Sequence, residues 1–254
     1  VFASKGCRTV GVEPTGAVED ANGDAHRLYK NYFDDRTAQK ILDDIGSPDI
    51  ITFTNVFAHI EDFQSLLGTL KILISDRTLL VIENHYLGSV IEKNQFDTFY
   101  HEHPRTYSLT SFQEVSTRLN CPLVDVQFPK RYGGNIRVML SGNGATSASN
   151  AATNASVLEY TAKENDFEHD LIKMKNFIES WRHDKMLEIE RLVRIHGRLP
   201  AKAFPGRAAI LVKLLNLSEN HISAVYEKPG SLKIGHYVPG TRIPIRSDTE
   251  LFET

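Results

Sequence analysis

Cysteine is scarce in this chain of 254 residues, which contains two, Cys7 and Cys121. Two cysteines so far apart exclude a disulfide scaffold and a zinc site with four thiolate ligands. We therefore expect both to be buried, reduced thiols in a cytoplasmic protein. No charged and then apolar leader opens the chain, so no signal peptide is expected.

An excess of charge of one sign is also lacking. The 29 basic residues stand against 32 acidic residues, which gives a net charge of −3. A nucleic-acid partner would require a basic face, so this balance argues against one. Long hydrophobic runs are missing as well. Stretches such as Ala208 to Val212 are far shorter than the ~20 residues needed to span a bilayer, so we expect no membrane partner.

Hydrophobic residues nevertheless make up 41% of the chain, enough for a substantial core. At about 150 residues per domain, the length predicts one large or two modest domains. Short apolar strands alternate with helical patterns in the first part, which predicts a doubly wound α/β sheet covered by helices. The predicted strands are residues 7–12, 49–54 and 78–83, with helices over 35–45 and 63–74 between them.

A helix and a pair of strands, residues 123–128 and 136–140, close this sheet, with Gly133-Gly134 at the turn. Such an antiparallel finish is typical of a methyltransferase sheet. The small polar residues Thr146 to Ser156 indicate a linker. A long helix ending at His196-Gly197 and a small α/β lobe follow. The sequence therefore predicts two domains, residues 1–145 and 146–254.

Three polar residues are predicted at the carboxyl ends of strands, where doubly wound sheets bind their ligands. Glu13 follows the first strand and is placed to accept both hydroxyls of a ribose; a solvated acid in a turn is the alternative. Asn55 and His59 follow the strand that ends at Thr54. A lone histidine there is more often structural, and the shared location at the expected ligand edge makes a ligand site an equal alternative.

The stretch QFDTFYHEHPRTYSL, residues 95–109, concentrates Tyr100, His101, Glu102 and His103. In an extended segment Tyr100 and Glu102 would share one side and the two histidines the other. A metal site would need a third ligand that the sequence does not identify, and a solvated polar loop is a further alternative. The catalytic interpretation makes one histidine a base, with Tyr100 and Glu102 bonded to substrate oxygens.

The run YHEH strongly resembles the signature of the nucleotide-sugar C-methyltransferases, which use S-adenosylmethionine to methylate a carbon next to the ketone of a 4-keto deoxysugar linked to dTDP. The resemblance extends through GCRTVGVEP, NVFAHIED, YGGNIRVML and HYVPGTRIPI in the order of the family. It implies a Rossmann-like class I methyltransferase sheet, a long helix and a C-terminal α/β lobe that binds the nucleotide-sugar.

The resemblance also implies roles for individual residues. His103 resembles the general base of the family, and Tyr100 and Glu102 resemble its substrate-holding partners. Asn55 and His59 resemble the pair beside the transferring methyl group, and Glu13 resembles the ribose ligand of the cofactor. The resemblance implies no metal in the reaction.

The family also has elements that this sequence does not show. They are a zinc-binding domain with CxxC pairs, a first strand and a Gly-rich cofactor loop, so we expect a chain truncated at its N-terminus with an incomplete sheet. Residues 204–208 depart from the Gly-Lys-Gly pattern of the family. The alternatives are a non-catalytic remnant that binds a nucleotide-sugar and a methyltransferase acting on oxygen or nitrogen. A nicotinamide oxidoreductase is disfavoured because its Gly-rich fingerprint is missing.

Overall fold

The computed structural model describes residues 2–18, 27–142, 151–202 and 206–252. The chain divides into two compact units. The first contains residues 1–87 and 104–164, and the second contains residues 88–103 and 165–254. Helices are numbered α1–α7 and strands β1–β9 in chain order.

A four-stranded mixed sheet forms the centre of the first unit. Its order is β3 (Ile50–Thr54), β4 (Leu79–His85), β6 (Asn135–Ser141) and β5 (Leu123–Gln127). Strands β3 and β4 are parallel, whereas β6 runs antiparallel to both of its neighbours. This reversed strand beside the last parallel strand is the predicted methyltransferase finish, and the α/β, Rossmann-like fold class is confirmed.

Two further strands of the first unit, β1 (Val10–Val12) and β2 (Arg27–Tyr29), form a separate parallel pair. Helix α1 (Asp35–Ile45) covers the pair with Ala38 and Ile41, which are buried against Tyr29 and against Leu73 of α2 (Phe63–Leu73). Asp34 begins α1 by accepting the backbone N–H of Thr37 at 2.8 Å. The apolar stripe of α1 thereby fixes this pair of strands.

Helix α5 (Ala151–Glu164) packs on α4 (Leu109–Leu119) and β5. Its last residue, Glu164, accepts the backbone N–H groups of Leu109 and Thr110 at 2.7 and 2.8 Å. The same carboxylate accepts the hydroxyls of Thr110 and Tyr86. A negative charge on the exposed N–H groups of a helix start is favourable, so Glu164 joins α5 to α4 and β4.

The second unit contains the long helix α6 (Phe167–His196) and a three-stranded parallel sheet in the order β7 (Leu199–Lys202), β8 (Ile222–Glu227) and β9 (Ile245–Ser247). Helix α7 (Ala208–Leu214) packs on the core of this sheet. The predicted long helix ending at His196 and the small α/β lobe are confirmed, while β7 was not predicted.

Three sequence expectations differ from the structure. The compact units do not follow the predicted boundary between residues 145 and 146, because α5 packs in the first unit and residues 88–103 belong to the second. Residues 151–156 of the predicted linker begin α5, as three alanines favour a helix there, and residues 146–150 lie outside the described ranges. Cys121 is buried as expected, but Cys7 is exposed.

The short helix α3 (Leu87–Glu92) follows β4 directly. Within the described ranges, no helix is both long and apolar enough to cross a membrane.

The carboxylate of Glu164 predicts a large effect on stability. We expect Glu164→Ala to lower the free energy of unfolding by roughly 1.5–3 kcal/mol, because two backbone donors of α4 lose a charged acceptor. Glu159→Ala is the matched control on the same helix, since it breaks an exposed pair with Lys163 and should change stability by less than about 0.5 kcal/mol. Urea unfolding of the two variants measures the difference. Equal losses would contradict the role of Glu164.

Candidate functional site

Glu13 lies directly after β1, with its backbone N–H bonded to the carbonyl of Tyr29 at 3.0 Å. Its Oε1 accepts the backbone N–H and the hydroxyl of Thr15 at 2.8 and 2.6 Å. These two hydrogen bonds, the hydroxyl first, hold the pKa of Glu13 below its usual value. The carboxylate therefore stays ionised and oriented at the end of the strand, as an acceptor for ligand hydroxyls must be.

Asn55 follows β3 in the left-handed backbone region, with φ of 54°. This conformation is uncommon for residues other than glycine, although asparagine tolerates it better than most. The backbone N–H of Asn55 bonds to the carbonyl of Glu83 at 2.8 Å, and its Oδ1 accepts from Nδ2 of Asn135 at 3.3 Å. Asn55 is therefore fixed by the neighbouring strand.

His59 ends a single 3-10 turn, Phe57–His59, and its side chain is exposed. Phe57 is fully buried and anchors the turn in the core. Arg105 donates to the carbonyl of Ile60 at 2.9 Å and so holds the chain just after the turn. His59 thus stands on a short segment that is fixed on both sides.

A buried carboxylate that was not predicted from the sequence lies beside Asn55. Glu83, on β4, is 2% exposed. It accepts from Nε of Arg131 at 2.5 Å, from Nδ2 of Asn135 at 2.8 Å and from Nε of Arg137 at 2.7 Å. We call these four residues the Glu83 cluster. The cluster joins β4, β6 and the turn between β5 and β6 at the end of β3.

The electrostatics of the Glu83 cluster favour the charged carboxylate. Burial alone would raise the pKa of Glu83, but the hydrogen bonds from Arg131, Asn135 and Arg137 outweigh it and lower the pKa. The signal for this site was present in the sequence. A glutamate inside the apolar run TLLVIENH requires a buried partner, and RYGGNIR supplies two arginines one hairpin away.

In the second unit, Tyr100 to His103 form a turn rather than an extended segment. The backbone N–H of His103 bonds to the carbonyl of Tyr100 at 2.9 Å. The expectation of two alternating sides is therefore wrong, because a hydrogen-bonded turn brings the first and fourth residues together. The rings of Tyr100 and His103 lie 4.6 Å apart, centroid to centroid. His101 points away into solvent, with its side chain 85% exposed.

Hydrogen bonds orient the side chains of this turn. The hydroxyl of Tyr100 donates to Oε2 of Glu102 at 2.9 Å. Burial and this bond raise the pKa of Tyr100, so the phenol keeps its proton. Nδ1 of His103 lies 3.2 Å from the carbonyl oxygen of Thr98. A carbonyl accepts only, so this contact requires the hydrogen on Nδ1, and in that neutral tautomer Nε2 is the basic nitrogen.

Arg207, at the start of α7, supports the same segment within the second unit. Its Nη1 lies 3.3 Å from the hydroxyl of Thr98 and 3.5 Å from Oδ2 of Asp97. Thr98 is therefore held on one side by Arg207 while its carbonyl accepts from His103. Arg207 lies in residues 204–208, which depart from the family pattern, and its contact with Thr98 was not predicted from the sequence.

The structure thus brings Tyr100, Glu102 and His103 together, and it places Asn55 against the Glu83 cluster. Glu13 and Asn55 end strands of two different sheets of the first unit. No group of three or more His, Cys, Asp or Glu side chains in the described ranges could hold a metal ion.

A mixed sheet with a reversed strand beside its last parallel strand, and polar residues at the carboxyl ends of its strands, is the arrangement expected for a methyltransferase. Residues 1–126 match the methyltransferase domain family, and residues 130–254 match the C-methyltransferase C-terminal domain. Together these matches take in nearly the whole chain. The chain belongs to the C-methyltransferase family, as the sequence resemblance indicated.

A curated relative is similar along most of the chain. C-methyltransferase NovU of Streptomyces niveus is 27% identical over 252 residues, which cover 97% of this chain and 59% of that protein. The chain thus spans less than two thirds of the length of this relative. Among solved structures, an O-methyltransferase family 2 protein from Planctomyces limnophilus DSM 3776, in complex with apigenin, aligns with a TM-score of 0.39 and 18% identity over 52% of this chain and 42% of that one.

The buried position of Glu83 predicts a pH-dependent contribution to stability. Its pKa in the folded chain lies below the ordinary value of 4.5, so the contribution is complete above about pH 4.5 and is lost as the pH falls through the lowered pKa. We expect Glu83→Gln to lower the free energy of unfolding by about 3 kcal/mol at pH 7, since two arginines lose their charged partner. The deficit should shrink below pH 4.5.

Urea unfolding between pH 3 and pH 7 measures this deficit. Glu114→Gln is the control, because it breaks an exposed pair with Arg118 and should cost less than about 0.5 kcal/mol at any pH. A Glu83→Gln deficit that is the same at pH 3 and pH 7 would show that the ionised carboxylate is not the stabilising species.

Proposed function

We propose that the protein transfers a methyl group from S-adenosylmethionine to the carbon next to the ketone of a nucleotide-linked 4-keto deoxysugar, with His103 as the general base. Membership in the C-methyltransferase family supports carbon as the acceptor atom. The resemblance of the YHEH segment supports the nucleotide-sugar. Such a substrate is a metabolite, which agrees with the prediction of a cytoplasmic protein.

The observation that carries the proposal is the hydrogen bond between Nδ1 of His103 and the carbonyl of Thr98. A carbon next to a ketone is weakly acidic, so methylation requires a base that is neutral near pH 7 and held in one orientation. The bond fixes both the ring and its tautomer, and it leaves Nε2 as the proton acceptor. His101 differs, since its side chain is 85% exposed and its Nε2 lies 4.0 Å from Oε1 of Glu102.

The neighbours of His103 match the charge that develops in the reaction. Removal of the proton produces an enolate, whose oxygen requires hydrogen-bond donors. The hydroxyl of Tyr100 keeps its proton and donates a hydrogen bond to Glu102 in this structure. A substrate oxygen can take the place of Glu102 as the acceptor, and the carboxylate of Glu102 then remains for a sugar hydroxyl.

The described residues fit one end of S-adenosylmethionine. Glu13 has an ionised carboxylate whose Oε1 is held by Thr15, while its Oε2 has no partner in the described part of the chain. A carboxylate at this strand end would hold the ribose hydroxyls, and Asn55 and His59 would flank the methyl group. When bound, the cofactor supplies an electrophilic methyl group on a sulfonium. The residues of the chain orient the acceptor carbon toward it.

The proposal predicts different effects at the two histidines. We expect His103→Asn to lower the rate of proton exchange at the carbon next to the ketone by ~10²–10⁴-fold, the usual contribution of a positioned base. His101→Asn is the matched control in the same turn and should leave the rate within about twofold. Proton exchange into deuterated water is followed by NMR, with thymidine diphosphate 4-keto-6-deoxyglucose as the probe and no cofactor.

The outcome of the exchange experiment distinguishes the proposed reaction from its alternatives. Exchange that survives in His103→Asn and stops in His101→Asn would contradict the assignment of the base. Binding of the probe by the unmodified chain without any exchange would favour a non-catalytic nucleotide-sugar-binding protein. Exchange that requires His103 together with methylation at carbon would support the proposed reaction over methylation of oxygen or nitrogen.

Cofactor binding predicts a separate effect at Glu13. We expect Glu13→Ala to weaken the binding of S-adenosylhomocysteine by about tenfold or more, because the ribose hydroxyls lose a charged acceptor. Asp49→Ala removes an exposed carboxylate just before β3, at the opposite end of a strand, and should leave the affinity unchanged. Calorimetric titration measures both. An unchanged affinity in Glu13→Ala would remove Glu13 from the cofactor site.

A further inference from the structure

The turn that joins β5 to β6 holds an exposed aromatic ring in a strained backbone. Tyr132 has φ of 54° and ψ of 28°, a left-handed conformation that is uncommon for a bulky residue. Its side chain is 64% exposed, so burial in the core does not explain the strain. Residues held in this region cost of the order of 1–3 kcal/mol and concentrate at ligand sites. Tyr132 is therefore a candidate for ligand contact.

The residue before Tyr132 carries an unused charge. The Glu83 cluster contains one carboxylate and two guanidinium groups, so one positive charge is in excess. Arg137 uses Nε and Nη2 on Glu83 and Nη1 on Gln127. Arg131 uses Nε on Glu83, its side chain is 46% exposed, and its guanidinium carbon lies 5.8 Å from the centroid of the Tyr132 ring. Two parallel N–H donors with a net positive charge match a phosphate oxygen pair.

The amide oxygen of Asn135, also in the cluster, has no hydrogen-bond donor among the described residues. Asn135 is 0% exposed, and its Nδ2 donates to Glu83 and Asn55. Its Oδ1 is buried and accepts no hydrogen bond from the described residues. A buried carbonyl oxygen normally has a donor, because the lost hydrogen bond costs about 1–3 kcal/mol. A hydroxyl group of a bound ligand would supply that donor.

The position of these groups favours the acceptor over the cofactor. Asn55, which has a proposed role beside the methyl group, ends β3, and Glu13 ends a strand of the separate two-stranded sheet. Arg131 and Tyr132 lie in the turn before β6. Asn135 is the first residue of β6 and pairs with His85 at the carboxyl end of β4. A sugar phosphate has a partner for each of these groups. Its phosphate is an anion for Arg131, its hydroxyls are donors for Asn135, and its sugar ring has a flat face that packs on Tyr132.

We propose that Arg131 and Tyr132 bind the sugar phosphate portion of the acceptor: the guanidinium of Arg131 holds a phosphate, and the ring of Tyr132 packs on the sugar. This inference rests on the proposed function, since it assumes a nucleotide-sugar substrate. Glu83 has a positioning role, because it fixes Nε of Arg131, whose side chain is 46% exposed. Gly133 and Gly134 both have positive φ, and the backbone N–H of Gly134 donates to the carbonyl of Arg131 at 3.0 Å, which closes the turn around Tyr132.

Calorimetric titration of the full chain with thymidine diphosphate glucose tests the role of Arg131. We expect Arg131→Gln to weaken this binding at least tenfold, because a charge-assisted phosphate contact is lost. Arg77→Gln is the matched control, since Arg77 is 85% exposed and precedes β4 at the opposite end of the strand. Its affinity should equal that of the unmodified chain. Equal affinity in Arg131→Gln would overturn the proposal.

Tyr132 permits a test in which folding and binding separate. We expect Tyr132→Gly to keep or raise the midpoint of thermal unfolding, because glycine adopts positive φ without strain. The same variant should weaken binding of thymidine diphosphate glucose at least fivefold, while Tyr132→Phe, which retains the ring, should bind within about twofold of the unmodified chain. Full affinity in Tyr132→Gly would contradict a contact between this ring and the sugar.

S-adenosylhomocysteine distinguishes failure of this inference from failure of the proposed function. We expect Arg131→Gln and Tyr132→Gly to bind it as tightly as the unmodified chain does. If these variants lose the cofactor product instead of the nucleotide-sugar, the groups belong to the cofactor site and the inference is wrong. If the unmodified chain binds S-adenosylhomocysteine but not thymidine diphosphate glucose, both the inference and the nucleotide-sugar substrate are wrong.

Discussion

The buried carboxylate of Glu83 is the interaction on which the candidate ligand edge of the first unit depends. Two oxygens without solvent must find donors, and they find them on three separate segments: Arg131 in the turn, and Asn135 and Arg137 on β6. The backbone carbonyl of the same residue accepts from Asn55. One residue of β4 therefore fixes the end of β3, the reversed strand and the turn that carries Tyr132.

The reversed strand explains how these segments come together. Because β6 runs antiparallel between β4 and β5, its first residue lies at the carboxyl end of β4, next to the site. A parallel strand in that place would bring its last residue there and would move the connecting turn to the other end of the sheet. The antiparallel finish therefore carries the turn from Arg131 to Gly134 to the candidate ligand edge.

Much of this architecture could be predicted from the sequence, and the failures have physical causes. Apolar runs such as residues 49–54 and 78–83 define strands whatever their partners are, and Gly197 ends α6 as expected. The start of α4 is hard to place because its capping box pairs Ser108 with Ser111, without the Glu or Gln that usually marks such a box in a sequence. The Glu83 cluster was not predicted because Glu83 lies 48 to 54 residues before its three partners, and local patterns do not show which distant charges meet.

The YHEH segment shows a different limit of local patterns. Alternation assigns sides correctly only in extended chain, and a single hydrogen bond from His103 to Tyr100 replaces it with a turn. The turn places the rings of Tyr100 and His103 in contact and leaves His101 in solvent. The carbonyl of Thr98 then adds what the residue types alone cannot specify, namely which ring nitrogen of His103 carries the hydrogen. Two identical side chains in one tetrapeptide thus acquire different chemistry from backbone geometry, which is the physical reason for preferring His103 over His101 as the base.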